Sequence, residues 1–89
     1  METSFKLRIL TPDGILFSDS ARQVTARNST GEFGVLPGHT VFASDIVSGK
    51  MNIISLTGEN MYFEVGNGLI SVEGEEVTVA LDSGTKIQS

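Results

Sequence analysis

The 89-residue sequence contains no cysteine and no tryptophan, and it holds one histidine, two prolines and six basic residues. Without cysteine there is neither a disulfide framework nor a thiolate metal site. A single histidine, His39, excludes a multi-histidine metal centre, and the carboxylates near it, Glu32 and Asp45, follow no known ligand spacing. Six Lys and Arg against eleven Asp and Glu leave a formal net charge of −5, which argues against nucleic-acid binding through clustered cations. No apolar run approaches the roughly 20 residues needed to cross a bilayer, so direct membrane insertion is not expected. The opening "METSFKLRIL" carries neither the apolar stretch of an export signal nor the Arg-rich amphipathic pattern of a transit peptide. A soluble protein on the cytoplasmic side is the expectation. A chain of this size buries only roughly 60–65% of its unfolded surface, so one domain over residues 1–89 is all it can build.

The charge is unevenly spread. No basic residue lies between Lys50 and Lys86, whereas Glu59, Glu64, Glu73, Glu75, Glu76 and Asp82 do. A solvated acidic face that maintains solubility accounts for this. Complementarity to a basic partner is the sharper but less favoured reading.

Alternation with period two recurs along the chain and predicts half-buried strands. Phe5, Leu7 and Ile9 share one face of "FKLRIL", with Lys6 and Arg8 on the other. "ARQVTAR" alternates more weakly. In "MYFEV", Met61, Phe63 and Val65 oppose Tyr62 and Glu64; in "EVTVALD", Val77, Val79 and Leu81 oppose Thr78, Ala80 and Asp82. "TPDG" suits a type I turn, and "LTGEN", "GNG" and "EGEE" supply further reversals. The last forty or so residues thus read as a meander of "MNIISL", "MYFEV", "LISV" and "EVTVAL". No ten-residue segment has helical period, and "HTVFASDIV" is too rich in β-branched residues for a helix. No linker, repeat or low-complexity tract interrupts the chain. The expected class is all-β, a sandwich or barrel of short, mostly antiparallel strands.

The stretch "GEFGVLPGHT" holds three glycines, one of the prolines and the histidine. Gly31, Gly34 and Gly38 fit neither a dinucleotide fingerprint nor a phosphate-binding loop, since no lysine and no helix follow. "GNGLIS" begins G-x-G but sits between strands. Gly34, Pro37, Gly38, Gly66 and Gly68 are therefore expected to shape turns, with no bound cofactor. His39 has Ser44 and Asp45 close in sequence, but a triad is assembled in space and no Gly-x-Ser-x-Gly elbow occurs. Glu32 and Phe33, bounded by Gly31 and Gly34, are expected on an exposed bend, as a tip that reads a partner. Shaped backbone with few reactive groups favours docking over catalysis.

In order along the chain, "FKLRILTPDGILFSDSARQVTAR", "GEFGVLPGHT" and "GKMNI…YFEVGNGLISVEGEEVTVAL" closely resemble the N-terminal domain of the epsilon subunit of F-type ATP synthases, called delta in mitochondria. The G-E-[apolar]-G-[apolar]-x-P-G-H core is the most specific part. The resemblance implies a flattened β-sandwich of about ten strands, no catalytic residue, and no cofactor or metal. It implies a place in the rotor, bound to the gamma subunit of the central stalk and set against the polar loops of the c-ring, so that ion flow is coupled to ATP synthesis. Carried over to this chain, it puts Glu32, with Gly31 and Phe33, against the c-ring loops, and Thr11, His39, Thr40 and Phe42 near the gamma surface. It implies a peripheral location on the cytoplasmic face of the bacterial inner membrane, or on the stromal face of the thylakoid for a plastid host.

The family's usual C-terminal helical hairpin, which inhibits hydrolysis, has no counterpart here: "VALDSGTKIQS" stops where it would begin. With Met1 at the start, no tag and a polar tail, a naturally short form without the inhibitory arm is favoured slightly over an excised domain, which would look the same. The rival reading, from another class, is a free-standing small β-sandwich that binds a ligand at its glycine-rich rim.

Overall fold

A computed structural model describes residues 4–38 and 41–87. Its described residues form nine strands and no helix: β1 (Phe5–Thr11), β2 (Gly14–Asn28), β3 (Gly31–Val35), β4 (Val41–Ile46), β5 (Gly49–Ser55), β6 (Asn60–Val65), β7 (Gly68–Glu73), β8 (Glu76–Leu81) and β9 (Gly84–Ile87). They hydrogen-bond in the order β4-β7-β8-β1-β2-β5-β6-β9, with β3 also on β2. Only β1 and β8 pair in parallel. The all-β, mostly antiparallel expectation holds, and Val41–Ile46, within "HTVFASDIV", is a strand.

The fifteen-residue β2 is the hinge of the architecture. Its first part pairs with β1, up to Phe5 opposite Ala21. Ala21 then also faces Ser55 of β5, and beyond it β2 lies between β5 and β3, so that Val24 faces both Ile53 and Val35. Arg22 is the extra residue of a bulge at this switch, since Ala21 and Gln23 face consecutive residues of β5. A bulge bends its strand and shifts the side-chain phase by one. Ala21, Val24 and Ala26 are accordingly the buried residues, which explains the weak alternation of "ARQVTAR". The ladder thereby turns back over itself as two halves, β4-β7-β8-β1 with early β2, and β3-late β2-β5-β6-β9.

Apolar faces of both halves meet in one core. Phe5, Leu7 and Ile9 of β1, Ile70 and Val72 of β7, and Val77, Val79 and Leu81 of β8 are buried with Met51, Ile53, Phe63 and Val65 of the other half. Phe17 meets Phe63 edge-on, with centroids 6.3 Å apart, and so bridges early β2 and β6. No polar or charged residue is buried among those described. Cohesion comes from apolar burial, at about 1.5–3 kcal/mol per large side chain.

The C-terminal meander does not form. β5 pairs with β6 and β7 with β8, but β6 turns to β9 and β7 to β4. "GNG" is a crossing between the halves. Asn67 fixes it: its Oδ1 accepts from the Ser48 amide (2.9 Å) and its carbonyl from the Asp82 amide (2.9 Å). Gly66 and Gly68 are needed here for close approach, not for positive φ. A Cβ on Gly68 would overlap the Ala80 carbonyl oxygen, and one on Gly66 the Asp82 carboxylate. The β7–β8 connection is a true hairpin, with φ of 62° at Gly74 and no positive φ at Glu75, the pattern of a II′ turn.

Candidate partner-docking site

"GEFG" is not a bend. Gly31–Val35 is β3, paired with late β2: Glu32 lies opposite Arg27, Phe33 opposite Ala26 and Gly34 opposite Thr25. Gly34 is thus a strand residue, while Pro37 and Gly38 do lie in a turn, Gly38 with a φ of 97°. Strand alternation decides which side chain is displayed. Glu32 is exposed, and Phe33 turns inward against the core, its ring 5.8 Å from that of Phe42. The expected exposed Glu–Phe tip reduces to Glu32 alone. Phe42 is half-buried and packs against the core. His39 and Thr40 lie outside the described residues.

A polar clasp holds the Gly31 end of β3. Asn28 Oδ1 accepts from the Thr30 amide (2.9 Å) and hydroxyl (2.8 Å), closing the turn between β2 and β3. Asn28 Nδ2 donates to Ser44 Oγ (3.0 Å), and the Ser29 amide donates to Asp45 Oδ2 (3.0 Å), tying this turn to β4. Ser44 and Asp45, whose nearness to His39 raises a triad on arithmetic, are therefore engaged in positioning the turn before Glu32. Sequence reasoning missed Asn28 in this role. The signal was present in "NSTG", since Asn and Thr close turns through their own side chains.

The register also lays out the outer face of the other half in three cross-strand rows. Val41, Glu73, Glu76, Lys6 and Ser20 form the first; Ala43, Ser71, Thr78, Arg8 and Ser18 the second; Asp45, Leu69, Ala80, Leu10 and Ile15 the third. The middle row is short-chained but for Arg8, which leaves the sheet smooth. The third row is apolar along four strands, with Leu69 and Ile15 each 65% exposed. Thr11, one residue beyond Leu10, ends this face at one corner, where its Oγ1 accepts from the Asp13 amide and donates to the Gly14 carbonyl (both 3.2 Å). Val41, 80% exposed, stands at the diagonally opposite corner. Thr11 and Phe42 are not brought together, but the face runs from one strand end to the other. A flat sheet face with an exposed apolar row, rimmed by charge, has the makeup of a protein-docking surface.

Among the described residues no three His, Cys, Asp or Glu converge to hold a metal. Among the same described residues no helix is long and apolar enough to cross a membrane.

Residues 4–87, which include every strand, match the family described as ATP synthase, Delta/Epsilon chain, beta-sandwich domain. The chain belongs to this family. Relatives named ATP synthase epsilon chain agree in sequence along most of the domain. The one from Sulfurovum sp. is 35% identical over 82 residues, 92% of this chain and 64% of that protein. The one from Campylobacter fetus is 33% identical over 81 residues, 91% of this chain and 63% of that protein. The chain thus spans a little under two thirds of the length of these epsilon chains. In fold it is similar to a chain of the Euglena gracilis mitochondrial ATP synthase, with a TM-score of 0.88 at 19% identity over 94% of this chain and 54% of that one. It is also similar to a chain of the central stalk and c-ring assembly of the Tetrahymena thermophila mitochondrial ATP synthase (TM-score 0.73, 10% identity, 91% and 65% covered).

Proposed function

We propose that this chain is a non-catalytic rotor subunit of an F-type ATP synthase, bound to the gamma subunit and set against the c-ring. The observation that carries this reading is the family match from β1 through β9, which leaves no strand of the domain unaccounted for. Thr11, which the family resemblance puts near gamma, ends the outer face at one corner, and Val41 stands at the opposite one. A gamma surface laid across the face would meet both and cover the Leu69–Ala80–Leu10–Ile15 row. Burial of such apolar side chains stabilises docking by about 1–2 kcal/mol each, short of the full-burial value because they are already partly covered.

Glu32, held by the clasped turn, is the group offered to the polar c-ring loops. An exposed ion pair contributes only about 0–1 kcal/mol, so Glu32 sets orientation while the apolar face bears load. The rotor role places the protein peripherally, on the cytoplasmic face of the bacterial inner membrane or its thylakoid equivalent. Co-expression with the gamma subunit of the same organism tests the reading. A tagged chain should retain gamma through purification and should hydrolyse no ATP alone. Failure to retain gamma, together with saturable small-molecule binding by the free chain, would favour a free-standing ligand-binding sandwich instead.

A further inference from the structure

The fold opens a cleft where β2 exchanges β1 for β5. Early β2 supplies Phe17, Asp19 and Ser20, and the end of β5 with the following hairpin supplies Ser55, Leu56, Thr57, Glu59 and Met61. Its volume of 350 Å³ is near the low end of small-ligand sites, which span about 300–1,000 Å³. That suits one long side chain rather than a folded segment. It shares Ser20 with the end of the first outer-face row but lies away from the apolar row and from the Gly31 end of β3, and the docking reading above leaves its other residues unused.

Its chemistry is asymmetric. Phe17, Leu56 and Met61 give an apolar wall, and Phe17 is held by its edge-on contact with Phe63. The Ser55 and Thr57 hydroxyls are occupied with the hairpin: they bond each other at 3.0 Å, and Ser55 Oγ accepts from the Glu59 amide at 3.1 Å. Asp19 uses Oδ1 for the Ser20 amide (2.7 Å), leaving Oδ2 open. Neither Asp19 nor Glu59 has an ion-pair partner among the described residues. Arg22, the bulge residue, leans on the hairpin at Gly58 and does not line the cleft. Two carboxylates beside an aromatic wall are a poor calcium site, which takes about six to eight oxygens. They do match a planar cation on an alkyl stem. A guanidinium stacks on an aromatic ring and bonds carboxylates in pairs while its methylenes cover apolar surface.

We infer that this cleft receives an arginine side chain of a partner protein, its stem along Phe17, Leu56 and Met61 and its head between Asp19 and Glu59. The probe is N-acetyl-arginine amide, titrated into the ¹⁵N-labelled chain, with the citrulline amide as its neutral isostere and Mg²⁺ as a bare cation. The arginine compound should give saturable shifts at Ser20, Leu56, Thr57, Glu59 and Met61, and the citrulline compound should bind about tenfold or more weakly. The Asp19→Asn/Glu59→Gln variant, whose spectrum reports its own folding, should lose the response. Equal binding of citrulline, shifts elsewhere in the molecule, a Mg²⁺ response at these amides, or persistence in the double variant would each overturn the inference. These outcomes are independent of whether gamma is bound.

Discussion

Replacing Gly68 by alanine should destabilise this domain far more than the same change at Gly34. A Cβ on Gly68 would overlap the Ala80 carbonyl oxygen and lie 2.9 Å from Ala80 C and Leu81 Cα. All three are backbone atoms of β8, the strand to which Gly68 is paired, so no side chain can swing aside. Relief requires prying the start of β7 from β8. That combines an overpacking cost of about 1–3 kcal/mol with the loss of one or two ladder hydrogen bonds at about 0.5–1.5 kcal/mol each. The expected loss is about 2–3 kcal/mol, or roughly 10–20 °C in Tm for a domain of this size. At Gly34 the nearest atoms to an added Cβ are 3.8 Å away and φ is not positive. Gly34→Ala should therefore be neutral, or stabilise by up to about 1 kcal/mol through the unfolded chain. Urea unfolding of both variants, supported by calorimetry, measures the difference. A Gly68→Ala protein within about 0.5 kcal/mol of the parent, or a Gly34→Ala protein equally damaged, would refute the steric argument.

Asn67→Ala removes the acceptor for the Ser48 amide and should cost about 0.5–1.5 kcal/mol in urea unfolding, because the bond is exposed, whereas Asn67→Asp keeps an oxygen there and should cost less. A double-mutant cycle of Phe33→Leu and Phe42→Leu should give a coupling of about 0.5–1.5 kcal/mol, because the rings are in contact; additivity would show that the pair is incidental. Glu32→Gln should leave unfolding within about 0.5 kcal/mol of the parent and reduce c-ring association only modestly in a reconstitution assay.

Much of the fold could be read from residue patterns, and what escaped did so for local physical reasons. β1, β6 and β8 alternate cleanly because one face of each is buried, so Phe5, Leu7, Ile9, Phe63, Val77 and Val79 announce the core. The fifteen-residue span of β2 escaped because a bulge at Arg22 shifts its phase midway. The crossing at Asn67 passed for a hairpin because Gly-Asn-Gly has turn chemistry, while the requirement there is absence of Cβ. Phe33 passed for an exposed residue because flanking glycines suggest a bend; pairing with β2 instead fixes its alternation and turns it inward. Glu32 was legible as an exposed acid. The outer-face rows were not, because they exist only once four strand registers are combined.

The most direct test of the docking account is calorimetric titration of the purified gamma subunit with this chain and with its Ile15→Asp and Leu69→Asp variants. A one-to-one complex is predicted for the parent, weakened about five- to thirtyfold by either charge on the apolar row, since each side chain carries about 1–2 kcal/mol. Unchanged affinity in both variants, or no heat of binding from the parent chain, would contradict it.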